Sequence, residues 1–298
     1  MLRPSSEPAP ARRPIVLEDR GALAAWREAV SGTVGFVPTM GALHEGHAAL
    51  ARRARATCDV VVASIFVNPL QFGPKEDLSR YPRTFDADLD LLGREGVDAV
   101  YAPAEDDLYG VGFATSIDVG RVTERFEGAL RPGHFRGVAT VVAKLLARAR
   151  PDLAFFGRKD AQQVALVERL VRDLDLPGEI VVAPTVRDVD GLALSSRNRY
   201  LSASERARAL ALPRALAAAA GASSSGATPA LSVAAARDVL ARADLVADYL
   251  DVVDPASFAS VADVPEHDAL MVAAVRVGST RLLDNVWICA PVAAAAVA

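Results

Sequence analysis

The chain is short of several things that define other protein classes. Its 298 residues hold two cysteines, Cys58 and Cys289. These are too few and too far apart for a disulfide framework or a zinc site, so two reduced thiols in a cytoplasmic protein is the expectation. Lysine is nearly missing: only Lys75, Lys144 and Lys159 occur, and every other basic residue is arginine. Charge is almost balanced, with a formal net of −4. That excludes the basic surplus of a sequence-independent nucleic-acid binder but leaves room for a local basic pocket. No apolar run of about 18 residues is free of charges, so no transmembrane helix is expected. Met1 to Pro14 is rich in Pro and Arg and has no apolar stretch, which reads as a frayed tail and not a secretory signal. Neither a Gly-x-Ser-x-Gly elbow nor a Gly-x-x-x-x-Gly-Lys-Ser/Thr loop is present, which removes two common catalytic devices.

What is there is a hydrophobic fraction of 51%, enough for a sizeable core. Strand-like and helix-like segments alternate through the first 185 residues. Val34 to Val37, Val60 to Val67, Ala99 to Ala102, Leu153 to Phe156 and Ile180 to Ala183 read as strands. Gly46 to Thr57, Thr84 to Glu95, Val138 to Arg150 and Ala161 to Leu174 read as helices. The β-branched run at Val60 suits a strand covered on both faces. The rhythm predicts an α/β fold: a Rossmann-like parallel sheet with helices on both faces over 15–185. Beyond residue 186 the texture changes to a smaller C-terminal α+β domain, 186–298, that could act as a lid. Ser202 to Ala220 is helical, opened by a Ser202/Glu205 capping box. Gly221 to Leu231, rich in Ala, Ser and Gly, reads as a surface loop. Asp248 to Val253, Ala269 to Val277 and Arg281 to Ile288 are short strands, the last two joined tightly through Gly278 and Ser279.

The chemistry concentrates at strand ends, where parallel sheets bind ligands. Gly35 to His47 runs from a strand through a Pro-Thr corner into His44-Glu45-Gly46-His47. The chain has only four histidines, and two of them lie three apart here. Backbone N–H groups at the following helix start are expected to face an anion, with the two imidazoles as further donors. A lone histidine there would ordinarily cap or pack. No Cys or third His stands at zinc-ligand spacing. Asn68 and Gln71, in Phe66 to Phe72, follow the buried strand and can read a hydroxyl or carboxylate with neutral amides, although Asn-Pro is also an ordinary turn. The basic, glycine-containing segment Phe126 to Gly137 is a mobile cover, an anion contact or an ordinary exposed loop. Gly157-Arg158-Lys159-Asp160 repeats the strand-glycine-helix logic, and Gln163 shares a helix face with Lys159. Ser195-Ser196-Arg197 puts two hydroxyls before a guanidinium, a set that suits a polyphosphate. None of these motifs holds a covalent nucleophile. Together they favour positioning and charge stabilisation at a nucleotide phosphate.

Five ordered stretches carry a resemblance: PTMGALHEGH at Pro38 to His47, FVNPLQF at Phe66 to Phe72, RPGHFRGVATVV at Arg131 to Val142, FFGRKDAQQ at Phe155 to Gln163 and DGLALSSRNRYL at Asp190 to Leu201. From about Ile15 to Ile288 the chain resembles the pantoate–β-alanine ligases, within the nucleotidyltransferase superfamily that shares the His-x-Gly-His element. The resemblance implies ATP-dependent condensation of pantoate with β-alanine through a pantoyl adenylate, releasing pyrophosphate and then AMP. It implies His44, His47, Lys159 and Arg197 as catalytic groups, with His47 the proton donor. Met40, Gly41, His44, Gly46, His47, Gly157, Arg158, Lys159, Asp160, Val186, Leu194, Ser195, Ser196 and Arg197 would bind ATP. Gln71, Gln163 and Asn68 would bind or support the substrate. Within the acidic stretch Asp86, Asp88 and Asp90, Asp88 would be the Mg2+ ligand. A homodimer in the cytoplasm, acting on small molecules and on neither nucleic acid nor membrane, is implied as well.

Two other functions share part of this pattern. A nucleotidyltransferase acting on a phosphorylated acceptor needs only the histidine junction and the Ser/Arg loop, but leaves the amides of Asn68, Gln71 and Gln163 unexplained. A non-catalytic nucleotide sensor would show erosion of a charged motif residue, and none is eroded here.

Overall fold

The computed structural model describes residues 12–288 other than 75, 77 and 266. Most of the expected tail, and Cys289, lie outside the described residues. Contacts divide the chain into two compact units. Unit 1 comprises residues 1–118, 132–157 and 167–183, and unit 2 comprises 119–131, 158–166 and 184–298.

Unit 1 is built on a six-stranded, wholly parallel sheet. Its strands are β1 (Ile15–Leu17), β2 (Val34–Thr39), β3 (Val60–Ile65), β4 (Ala99–Tyr101), β5 (Leu153–Gly157) and β6 (Glu179–Ala183), in the spatial order β1-β4-β3-β2-β5-β6. β2 and β3 are in register from Val34 opposite Val60 to Thr39 opposite Ile65. Chain order reverses direction between β2 and β5, which places the ligand-binding crevice of such a sheet at the carboxyl ends of these two strands. One face is packed by α2 (Glu45–Thr57) and α3 (Phe85–Arg94). There Val37, Val61, Val100 and Phe155 of the sheet meet Leu50, Ala51, Ala54, Leu89 and Leu92 in one apolar cluster. The alanines let α2 approach closely. Cys58, at the end of α2, is buried against this cluster, and burial pushes its thiol up.

The strand and helix alternation expected for this half is present. Three elements were not anticipated: β1, the short α4 (Glu105–Leu108), and α1 (Arg20–Ala29), whose first turn is capped by Asp19 accepting from Ala22 N at 2.8 Å. α6 (His134–Ala149) begins four residues before the expected helix start at Val138, with Gly133 at φ +85° as its N-cap. It packs on β2 and α1. The segment read as a loop also contains a short helix, α5 (Glu127–Leu130). Gly-rich composition hid both.

Unit 2 contains α8 (Ala203–Ala209), α9 (Ala211–Ser224), α10 (Pro229–Arg242) and a three-stranded antiparallel sheet of β7 (Ala247–Val253), β8 (Ala269–Val277) and β9 (Thr280–Ile288), in that order. The Ser202/Glu205 capping box forms as expected. The surface loop expected over Gly221 to Leu231 does not: α9 runs to Ser224 and α10 starts at Pro229. Alanine is a strong helix former, and Thr228 accepting from Leu231 N with Pro229 at the first helical position is a start signal that the Ala/Ser/Gly content obscured. Leu212, Ala215, Leu216 and Leu240 cover Met271, Ala273 and Val275 of the sheet. Gly278, at φ +58°, opens the two-residue β8–β9 turn, where a Cβ would fall 1.8 Å from Glu205 Oε1. Among the described residues no helix is long and apolar enough to cross a membrane.

Candidate active site

The candidate residues divide between the two units. Met40, Gly41, His44, Gly46, His47, Asn68, Gln71, Asp88 and Gly157 lie in unit 1. Arg158, Lys159, Asp160, Gln163, Val186, Leu194, Ser195, Ser196 and Arg197 lie in unit 2.

In unit 1, β2 ends at Thr39, whose hydroxyl donates to Ser64 O at 2.6 Å and ties the loop mouth to β3. Gly41 at φ +78° and Ala42 at φ +50° then turn the chain into α2. The two histidines cap this helix themselves. His44 Nδ1 accepts from Gly46 N at 3.1 Å, and His47 Nδ1 accepts from His44 N at 3.3 Å. Their ring centroids are 4.2 Å apart. A nitrogen that accepts carries no proton, so in each neutral ring the N–H is on Nε2. This differs from the expectation that backbone N–H groups face the anion. Ala42 N and Leu43 N donate to Asp88, Gly41 N to Thr39 Oγ1 at 3.2 Å, and His47 N to His44 O at 2.8 Å. These amides are engaged within the loop because the turn needs them for its own closure.

After β3, Asn68 caps a short helical turn over Pro69–Gln71. Its Nδ2 donates to Gln71 Oε1 at 3.0 Å and to Gly137 O at 3.1 Å, while its Oδ1 accepts from Tyr109 OH at 2.8 Å and Leu70 N at 3.2 Å. Asn68 is 1% exposed. With both ends of its amide engaged, it is a support for Gln71. Gln71 Nε2 in turn lies 3.0 Å from Met40 Sδ, so the amide-bearing turn and the histidine loop adjoin. Gly137 permits this arrangement: a Cβ there would sit 2.2 Å from Leu70 O. His134 Nδ1 is 2.8 Å from Gln71 O. Neither Gly137 nor His134 was singled out individually from the sequence. Their signal was the Gly-His-Phe-Arg-Gly spacing at the start of α6.

The acidic stretch is placed differently from a metal site. Asp86 and Asp90 pair with Arg13 at the surface, at 3.2 and 2.6 Å. Asp88 points the other way and is 3% exposed. Its carboxylate accepts from Ala42 N at 3.0 Å, Leu43 N at 2.9 Å and Thr84 Oγ1 at 3.1 Å. Among the described residues no group of three His, Cys, Asp or Glu side chains could hold a metal ion. These donors do not fit magnesium.

In unit 2, Lys159 follows directly after β5 on a 3-10 turn, Arg158–Asp160, and its Nζ is 3.4 Å from Asp160 Oδ1. Asn285 of β9 donates from Nδ2 to both Arg158 O at 2.9 Å and Lys159 O at 3.0 Å. The Arg158 guanidinium stacks 4.7 Å from the Trp287 ring centroid. Val186 and Leu194 face each other across a small hairpin, Leu194 N donating to Val186 O at 2.9 Å. Ser195 caps the next turn, its Oγ accepting from Arg197 N at 3.3 Å. Lys159, Ser195 and Arg197 line one small pocket together with Asn198 and Arg281. Thus the structure joins two motifs that the sequence keeps 36 positions apart (159 and 195). Gln163 is half-buried at the start of α7 (Ala161–Asp173), whereas its neighbour Gln162 is 5% exposed and structural: it accepts from Glu127 N and donates to Val122 O and Arg125 O.

Arg281 was not anticipated at this pocket. It is held by Glu127 at 2.7 Å and by Asp248 at 2.5 Å. Burial pushes the Glu127 carboxyl up, but hydrogen bonds from Arg281 and Tyr249 and the Arg281 charge hold it below its usual value. Burial also raises the Tyr249 hydroxyl, and the charge of Glu127 adds to that. The pocket wall is therefore a compensated ion pair, beside Arg197 and beside Lys159, which pairs with Asp160.

A family model described as pantoate-beta-alanine ligase matches residues 16–287. The pantothenate synthetase of Acidothermus cellulolyticus is 54% identical over 276 residues, covering 92% of this chain and 91% of that protein. The pantothenate synthetase of Thermobifida fusca is 53% identical over 266 residues, 86% of this chain and 89% of that one. A solved pantothenate synthetase from Thermus thermophilus superposes with a TM-score of 0.87 at 46% identity, over 92% of this chain and 99% of that one. A pantoate-beta-alanine ligase from Francisella tularensis, complexed with beta-gamma ATP and beta-alanine, superposes with a TM-score of 0.76 at 32% identity, over 92% of this chain and 97% of the other.

Proposed function

The chain belongs to the pantoate–β-alanine ligase family, and on that premise we propose how its own residues divide the reaction. The protein is an ATP-dependent ligase that condenses pantoate with β-alanine. In the first step a pantoate carboxylate oxygen attacks the α-phosphorus of ATP, the bond to the bridging oxygen breaks, and pyrophosphate leaves. In the second, the β-alanine amine attacks the acyl carbon of the pantoyl adenylate, AMP leaves, and the amine loses a proton.

The observation that carries the division of roles is the capping geometry of His44 and His47, which puts the ring N–H of each on Nε2. These donors serve the phosphates, and His47 stabilises charge developing in the transition state. Lys159 and Arg197, in one pocket with Ser195, supply the cationic counterpart at the β- and γ-phosphates. A pentavalent phosphoryl group gathers more charge than the ground state, so such donors accelerate the step and do more than bind. Gln71, its amide oxygen taken by Asn68, offers an NH2 to pantoate. Gln163 contributes the second amide. Magnesium enters as the counter-ion of the ATP substrate. A cytoplasmic homodimer completes this reading.

Pantoate-dependent exchange of pyrophosphate into ATP, without β-alanine, is the test. Exchange that requires pantoate, followed by pantothenate and AMP when β-alanine is added, is the expected result. A stable dinucleotide-type product from a phosphorylated acceptor would replace this reading with a simple nucleotidyltransferase.

A further inference from the structure

We propose that Asp88 is a positioning residue for the histidine loop and not a magnesium ligand. Its carboxylate lies under that loop, with Oδ2 receiving Ala42 N and Oδ1 receiving both Leu43 N and Thr84 Oγ1. A magnesium ligand must present an oxygen at about 2.1 Å to an octahedral shell that usually keeps several waters. Asp88 is 3% exposed, and three donors already converge on it.

The position demands a carboxylate. Two N–H groups arriving on separate oxygens need two acceptors, and an amide offers one acceptor and one donor. The charge is supported where it lies, because Asp88 is in the first turn of α3, the positive end of the helix dipole. The loop needs the help. Ala42 occupies the left-handed region at φ +50°, which an L-residue with a Cβ resists. Gly41 lies so close over the carboxylate that a Cβ would come within 3.0 Å of Oδ2. Leu43 precedes His44, so the bond from Leu43 N fixes the approach to the helix cap. Through that cap it sets the direction of both Nε2–H groups. The roles of the acidic stretch then separate: Asp86 and Asp90 pair with Arg13 outside, while Asp88 organises the loop inside.

The kinetic part of this proposal rests on the ligase reading; its spectroscopic part does not. Asp88→Asn, Thr84→Val and the exposed control Asp86→Asn are compared in the full chain by pantoate-dependent exchange over a magnesium titration and by 15N signals of the histidine rings. Asp88→Asn is expected to lower the exchange rate about tenfold to a hundredfold by leaving an N–H against the new NH2. It should move the His44 and His47 ring signals and leave the magnesium half-saturation unchanged. Thr84→Val should move both readouts in the same direction by less, and Asp86→Asn neither. A several-fold rise in the magnesium half-saturation, or His44 and His47 signals that stay in place in Asp88→Asn, overturns the proposal. If Asp88→Asn does not fold, Thr84→Val decides by the same two readouts. If the wild type shows no exchange, the ligase reading fails, and the ring signals still decide the role of Asp88.

Discussion

Asn68 turns Gln71. By donating to Gln71 Oε1 at 3.0 Å, its side-chain amide fixes which end of the Gln71 amide is outward, and the Nε2 end lies toward Met40. Asn68→Asp removes the donor and places a carboxylate oxygen against Gln71 Oε1 and Gly137 O. The expected result is a rise in KM for pantoate of about tenfold to a hundredfold, from one lost hydrogen bond and one buried group left unpaired. KM for ATP should change much less. Steady-state kinetics with each substrate varied in turn checks this, and an equal rise in both KM values would refute it.

His47 has two functions on two nitrogens, and they can be separated. Nδ1 closes the helix cap, and Nε2–H is the donor proposed to face the phosphate. His47→Asn keeps an acceptor near the Nδ1 position, and His47→Gln keeps a donor near Nε2. Against His47→Ala, the Asn variant should recover thermal stability without activity. The Gln variant should recover part of the activity. His47→Ala itself should lower kcat by about a hundredfold to a thousandfold, the usual loss when one transition-state donor is removed. Melting temperatures and exchange rates of the three variants give the answer.

Asn285 acts on Lys159 through the backbone. Its single NH2 bridges Arg158 O and Lys159 O, which holds the turn that carries the ammonium group. Asn285→Ala should lower the exchange rate, and Asn285→Asp should lower it further by setting a carboxylate against two carbonyls. In the Lys159→Ala background, Asn285→Ala should add little, because residues that act through one group are not additive. Full additivity in the double mutant would show that Asn285 acts elsewhere.

Glu127 makes the stability of unit 2 depend on pH. Its carboxyl is held below the usual range, so its contribution is complete above the unfolded glutamate value, about 4.3, and is lost as pH falls through the lower native value. Glu127→Gln should cost roughly 3 kcal/mol near neutral pH by removing one of the two carboxylates that pair with the buried Arg281, Asp248 alone remaining. The gap between wild type and variant should narrow as pH falls below about 4. Urea unfolding of both proteins at about pH 7 and about pH 3.5 measures it, and a gap that widened on acidification would contradict the ion pair's role.

Much of unit 1 was legible in the residues. Continuous β-branched runs such as Val60 to Ile65 mark strands covered on both faces, and the sheet proved parallel throughout. Strand ends then located the loops that carry His44, His47, Asn68 and Gln71. Composition misled where it was low in complexity. The start of α10 was concealed by alanine, serine and glycine, although Thr228 and Pro229 announce it. α6 began early because Gly133, in the left-handed region, serves as a cap and not as a loop residue. The orientation of the histidines was not legible, since it depends on which ring nitrogen meets which backbone N–H.

By itself the sequence determined the α/β rhythm, the strand-end position of the histidine and amide motifs and the family, because these depend on local periodicity and on short motifs. Tertiary structure decided which polar groups satisfy one another. Asp88 meets the amide of Ala42 from 46 residues away, and Asn285 meets the Lys159 carbonyl from 126 residues away. No local pattern encodes such pairs, because a buried donor is served by whichever acceptor the fold brings within about 3 Å. For Asp88 that decision set its carboxylate against the amides of Ala42 and Leu43, in the loop before α2.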